Sequence, residues 1–159
     1  MDATIIRYVE RLNECSKLIV NDENLNAIEK LIQFSDINAI TKTDTELRIF
    51  FETVHPGNAD MKLKRVIHHI ITVPPLLAQI IEQGIEEKVM YTKNPLEVAE
   101  VIITSVRVLY EGLIEYEPEV LRKKIIAFVD IMESLLTIKK GTLAPMEEFL
   151  LDLSTTLRM

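Results

Sequence analysis

The chain has 159 residues, 48% of them hydrophobic, and carries 25 acidic against 18 basic side chains for a net charge of -7. That length suits one domain with a self-sufficient core, and the acidic balance argues against these residues gripping DNA or an anionic membrane themselves. The lone cysteine, Cys15, excludes an intrachain disulfide framework and paired metal thiolates.

Residues 2–20 read as one amphipathic helix. Ile5, Tyr8 or Val9, Leu12, Cys15 and Ile19 recur at helical spacing, with Arg7, Glu10, Arg11, Glu14 and Lys17 toward water. Cys15 fits a small buried apolar position better than a reactive thiol. No secretory leader precedes this segment, and no apolar run reaches the roughly 18 residues of a membrane span, so a soluble, cytoplasmic protein is expected. A polar turn at 21–24 leads into a short helix over 24–35, with Leu25, Ile28, Leu31, Ile32 and Phe34 inward. Thr43-Asp44-Thr45-Glu46 has the pattern of a capping box. It opens a helix through Leu47, Phe50, Phe51 and Val54 that His55-Pro56-Gly57-Asn58 stops.

From about Ala59 the next helix carries Leu63, Val66, Ile67, Ile70 and Ile71. Pro74-Pro75 interrupts it, because neither residue can donate a helix hydrogen bond. The same apolar face resumes at Leu77, Ala78, Ile81 and Ile85, so the phase predicts a kink or tight restart and not a reversal. Residues 86–93 link this segment to the longest stretch that demands burial, Asn94 to Gly141. Asn94-Pro95-Leu96-Glu97 reads as a helix start, with an Asn cap, Pro at the first helical position and Glu three residues after the cap. Polar residues then form one narrow stripe, Glu97, Glu100, Thr104, Arg107, Glu111 and Glu115. A second helix is expected over 118–138, closed by Lys139-Lys140-Gly141 with two cations and a glycine cap.

Helices 94–115 and 118–138 carry more apolar surface than one small core uses. The surplus predicts a two-fold four-helix bundle between two copies of the chain. The expected interface is Val98, Ile102, Val106, Leu109, Leu113, Leu121, Ile125, Phe128, Met132 and Leu136. After Gly141 a last amphipathic helix carries Met146, Phe149, Leu150, Leu153 and Leu157, and either caps the core or reaches a partner. The fold class is all-α: an antiparallel bundle of about seven helices in a single domain over 1–159.

The chemistry-bearing residues form no catalytic constellation, so no enzyme is expected. On a helix His68 and His69 stand about 100° apart, flanking the apolar face at Val66, Ile67 and Ile70. They are poorly placed to share an ion, and with no HxxxH or HExxH spacing neither a metal nor a cofactor is expected. One of the two histidines is a candidate polar anchor for an internal cavity. Arg107 and Glu111 are an ordinary surface pair unless their stripe turns inward, where Thr104, Arg107 and Glu111 would line a pocket. Phe34, Phe50, Phe51, Tyr8 and Tyr110 either fill the core or line a cavity. The candidate ligand-binding set is Phe34, Phe51, His55, His68, Thr104, Arg107 and Tyr110.

The run Leu77-Ala78-Gln79-Ile80-Ile81-Glu82-Gln83-Gly84-Ile85-Glu86-Glu87, followed by Asn94-Pro95-Leu96-Glu97-Val98-Ala99 and an apolar helix, resembles the C-terminal half of TetR-family transcriptional regulators. Tyr8-Val9-Glu10-Arg11-Leu12 resembles the long helix that follows the family's DNA-binding part. The resemblance spans roughly residues 1–140 and lies in order and spacing, not in a single site. It implies an effector-binding and dimerisation domain, with helices 94–115 and 118–138 pairing across a homodimer. A pocket for a small apolar or amphipathic effector would lie among residues 2–20, 43–54, 60–85 and 94–115. Binding would shift the spacing of two N-terminal DNA-reading heads through Pro74-Pro75 and residues 43–58. The family's helix-turn-helix has no counterpart in this sequence, so no direct nucleic-acid contact is expected from it. The position after Glu87, often Gly in the family, is Lys88 here. The competing reading is a helical dimeric scaffold or interaction domain with a filled core and no ligand.

Overall fold

Prolines, side-chain caps and two left-handed residues set most of the helix boundaries. A computed structural model describes residues 3–36, 59–112 and 115–156. They form α1 (Ala3–Val20), α2 (Ala27–Ser35), α3 (Ala59–Thr72), α4 (Pro74–Glu86), α5 (Pro95–Gly112), α6 (Pro118–Leu135) and α7 (Ala144–Thr156). The chain is therefore the expected all-α bundle, with no strand among the described residues. The helix and stop expected over 43–58 lie outside the described residues.

Asn26 fixes the start of α2 through a capping box. Its side chain accepts from the Glu29 N–H at 2.9 Å, and the Glu29 carboxylate accepts from the Asn26 N–H at 2.9 Å. This moves the helix start from the expected 24 to Ala27. Between α3 and α4, Val73 stays in the helical region (φ -84, ψ -37) and its N–H still donates to the His69 carbonyl at 3.1 Å. The double proline thus produces a tight restart, as the continuous apolar phase predicts.

The ends of α4 and α6 share one device. Lys88 (φ 60) and Thr137 (φ 53) occupy the left-handed region. Around Lys88, the Val89 N–H donates to the Gly84 carbonyl at 2.9 Å and the Lys88 N–H to Ile85 at 3.1 Å. Around Thr137, the Ile138 N–H donates to Glu133 at 2.8 Å and the Thr137 N–H to Ser134 at 3.2 Å. Both are Schellman stops, usually built on glycine. The expected end of α6 at 138 with a Gly141 cap is therefore corrected: the helix stops at Leu135, and Gly141 (φ 87) serves the following turn. Lys88→Gly should raise stability by about 0.5–1 kcal/mol by removing the left-handed cost of a side chain. A higher denaturant midpoint at unchanged slope would show it.

α4 is the hub, packing on α1, α2, α3 and α5. It buries Leu77, Ile80 and Ile81 against Leu31 of α2 and Ala99 of α5 within the central core cluster. Gly84 lies under Met90. A Cβ there would stand 2.5 Å from the Met90 sulfur, so the glycine is what lets this buried residue close over the end of α4.

One polar network crosses this core. Lys30 is 5% exposed, and its Nζ donates to the Val20 carbonyl and to Gln83 Oε1, both at 2.7 Å. Gln83 in turn donates to the Leu25 carbonyl at 3.2 Å and to Glu87 at 2.6 Å, while Glu87 accepts from the Ala27 N–H at 2.9 Å. The Ala27 bond, then the Gln83 bond, hold the Glu87 carboxyl below its ordinary value. The end of α1, the start of α2 and the end of α4 are thereby fastened at one place.

Candidate functional site

The helices meet around a cavity of about 50 Å³. Leu12 and Ser16 come from α1; Leu31, Phe34 and Ser35 from α2; His69 from α3; Val73 and Leu77 from the α3–α4 junction and α4. Ile102, Ile103 and Val106 of α5, Phe128 and Met132 of α6, and Met146 and Leu150 of α7 complete the described lining. It is apolar apart from Ser16, Ser35 and His69. Among the described residues no Lys, Arg, Asp or Glu lines it, nor does any group of three or more His, Cys, Asp or Glu form a place for a metal ion.

Of the ligand-binding residues expected from sequence, Phe34 lines this cavity. His69 lines it and His68 does not: His68 is half-buried, and its carbonyl accepts from the Thr72 hydroxyl at 2.9 Å. Helical phase explains the choice, because His69 shares a face with Val73 and Leu77, four and eight residues on. Arg107 is buried in α5, whereas Thr104 is exposed on the outer side of the same helix. Phe51, His55 and the Tyr110 side chain lie outside the described residues. Ser16 was hidden by the choice of Cys15 for the inward stripe of α1. Ser16 is buried and Cys15 only half-buried, so the inward line runs Leu12, Ser16, Val20 at a four-residue step.

A second feature lies on the outside of α5 and α6. Val101, Thr104, Ser105 and Val108 of α5, with Ala127, Ile131 and Leu135 of α6, border a groove that Tyr116 and Lys124 extend. Val108 is 62% and Ile131 55% exposed, and Val101 and Leu135 are exposed as well. Lys124 Nζ stands 4.6 Å from the centre of the Tyr116 ring, a cation–π contact. Of the expected interface residues, Ile102, Leu121, Ile125, Phe128, Met132 and Leu136 are buried within the chain itself. Val98, Val106 and Leu109 are half-buried, and Leu113 lies outside the described residues. The uncovered apolar side chains stand beside these positions on the same two helices.

No helix among the described residues is long and apolar enough to cross a membrane. A comparison with curated proteins gave no match. Residues 39–131, more than half of the chain, match the family described as "Tetracyclin repressor-like, C-terminal domain". The matched span takes in α3, α4, α5 and most of α6, which contribute to both the cavity and the outer groove. The chain therefore belongs to the tetracyclin repressor-like C-terminal domain family, whose domains are regulatory and do not catalyse reactions.

Proposed function

We propose that this chain is the effector-sensing and dimerisation domain of a TetR-like transcription regulator acting in the cytoplasm. The observation that carries the reading is a cavity, lined by no charged side chain among the described residues, to which the family-matched helices α3 to α6 contribute together with α1, α2 and α7, beside an uncovered apolar face on α5 and α6. A small apolar or amphipathic molecule binds reversibly in the cavity, and no bond is made or broken in it. The free space is far below the roughly 300–1,000 Å³ of a typical ligand pocket, so binding parts the walls. A ligand that favours the parted arrangement shifts the population toward it. Helix spacing then couples the cavity to a separate N-terminal head that reads DNA, while this domain makes no DNA contact of its own.

Two copies pair through α5 and α6, covering Val101, Val108, Ile131 and Leu135 with the half-buried Val98, Val106 and Leu109 at the border. Val108→Asp together with Ile131→Asp should raise the dimer dissociation constant at least roughly 100-fold, because each carboxylate would be desolvated without a partner. Sedimentation equilibrium checks it: wild type should be a dimer and the double variant a folded monomer. A monomeric wild type at tens of micromolar would remove the dimer from the proposal. The small size of the cavity also favours a second reading, a helical dimeric scaffold with no ligand. Native mass spectrometry separates the two, since the sensor retains a discrete small mass or takes one up saturably.

A further inference from the structure

α7 forms one wall of the cavity. Met146 and Leu150, one turn apart, are buried and line it, and Leu143 just before the helix is fully buried. Across the seam α2 supplies Phe34 and Ser35. Neither helix falls within residues 39–131, the family-matched span. The two sides of the seam are held differently. α2 is fastened to the ends of α1 and α4 by the bonds of Lys30 to the Val20 carbonyl and Gln83 and by the Ala27–Glu87 bond. Among the described helices α7 packs on α6 and, more lightly, on α2. It hangs from one turn, in which Thr137 (φ 53) and Gly141 (φ 87) are left-handed and Glu133 accepts from the Gly141 and Leu143 N–H groups.

Local opening costs free energy in proportion to the apolar burial and hydrogen bonds given up, so the least-held wall moves first. Among the described side chains α7 would give up Met146 and Leu150, whereas α4 would give up Leu76, Leu77, Ala78, Ile80 and Ile81. α1 also buries little, yet it packs on α2, α3 and α4 and Lys30 fastens its end.

We propose that α7 is the movable wall of the cavity, swinging off α2 about the Glu133-held turn with Leu143 as its pivot, so that a ligand enters between Phe34 and the pair Met146 and Leu150. The proposal rests on the sensor reading above and answers its shortage of room. The free space of about 50 Å³ is smaller than the roughly 150 Å³ that admits benzene. It grows as Met146 and Leu150 withdraw, while the hub α4 and the Lys30 network stay in place. Met146 also yields in the closed position, because an unbranched thioether repacks with little strain.

Two variants loosen the two sides of the seam separately: Glu133→Gln weakens the turn before α7, and Lys30→Met weakens the α1–α2–α4 corner. Amide hydrogen exchange and stopped-flow uptake of the neutral dye N-phenyl-1-naphthylamine are measured on the full chain. In wild type the α7 amides should exchange faster than those of α4, at a rate insensitive to low denaturant, as a local opening does. Saturating dye should slow them. Glu133→Gln should speed both α7 exchange and dye uptake roughly tenfold, the equivalent of one net hydrogen bond. Lys30→Met should leave uptake at the wild-type rate although it lowers global stability. Uptake that both variants speed equally, or that neither changes, would overturn the proposal while leaving a sensing cavity in place. So would α7 amides protected as well as those of α4, or unaffected by bound dye. A folded wild type that takes up no dye would remove the sensor reading, and the proposal with it.

Discussion

Glu133→Ala should lower the stability of the chain by about 3 kcal/mol, because the side chain serves as the cap for a turn some way beyond its own helix. Glu133 is 5% exposed at the end of α6. Its two carboxylate oxygens accept from the Gly141 N–H at 2.9 Å and the Leu143 N–H at 2.8 Å. Removing the carboxylate leaves two amide donors with no partner, at about 1–3 kcal/mol each, and one of them belongs to the fully buried Leu143. For a domain of this size that corresponds to a fall in Tm of about 6–12 °C. Glu133→Gln keeps one acceptor oxygen and should cost about half as much. Asp130→Asn, which breaks the exposed 3.0 Å ion pair with Lys140 nearby, should leave Tm almost unchanged. If all three variants melted together, the turn would not be held by Glu133.

The second large effect is expected at Lys30. Lys30→Ala removes the donors to the Val20 carbonyl and Gln83, and also the buried hydrocarbon stem, for a loss of about 3–4 kcal/mol. Lys30→Met restores the stem but not the donors, so chemical denaturation of the pair separates packing from hydrogen bonding. If the ammonium matters, the Met variant recovers less than half of the loss. Glu87 belongs to the same network, with the opposite sign of pH dependence from a basic group. Its folded value lies below the ordinary carboxylate value of 4.5, so its contribution is complete above that value and is lost as pH falls through the lower folded one. The side chain is exposed and that contribution is small. Lys30 is the member that decides stability.

The existence and order of the helices are legible because a 3.6-residue apolar period survives in each of them. The restart at Pro74-Pro75 is legible for the same reason, since phase crosses the break. Three features resist such a reading, each for a different cause. α5 is apolar over most of its circumference, so phase alone cannot say whether Ile102 or Val101 faces the chain's own core; packing decides, and Ile102 is the one buried. His68 and His69 are adjacent, and only the positions of Val73 and Leu77 on the far side of a double proline choose His69. Lys30 reads as a solvated lysine until Gln83, 53 residues away, is brought beside it. Residue type misleads there because burial depends on a partner that no local pattern announces.

Neither α4 nor α6 is stopped by a glycine. α4 turns at Lys88 and α6 at Thr137, and the segments just beyond are tied to each other: the Tyr91 N–H donates to the Leu136 carbonyl at 2.8 Å, and the Thr137 hydroxyl donates to the Tyr91 carbonyl at 3.2 Å. Each stop thus combines a local Schellman turn with a tie to a distant segment. These two boundaries are cooperative properties. The inter-segment bonds are made only when both segments are in place, so a chain with one of them undocked should fray more readily at both ends.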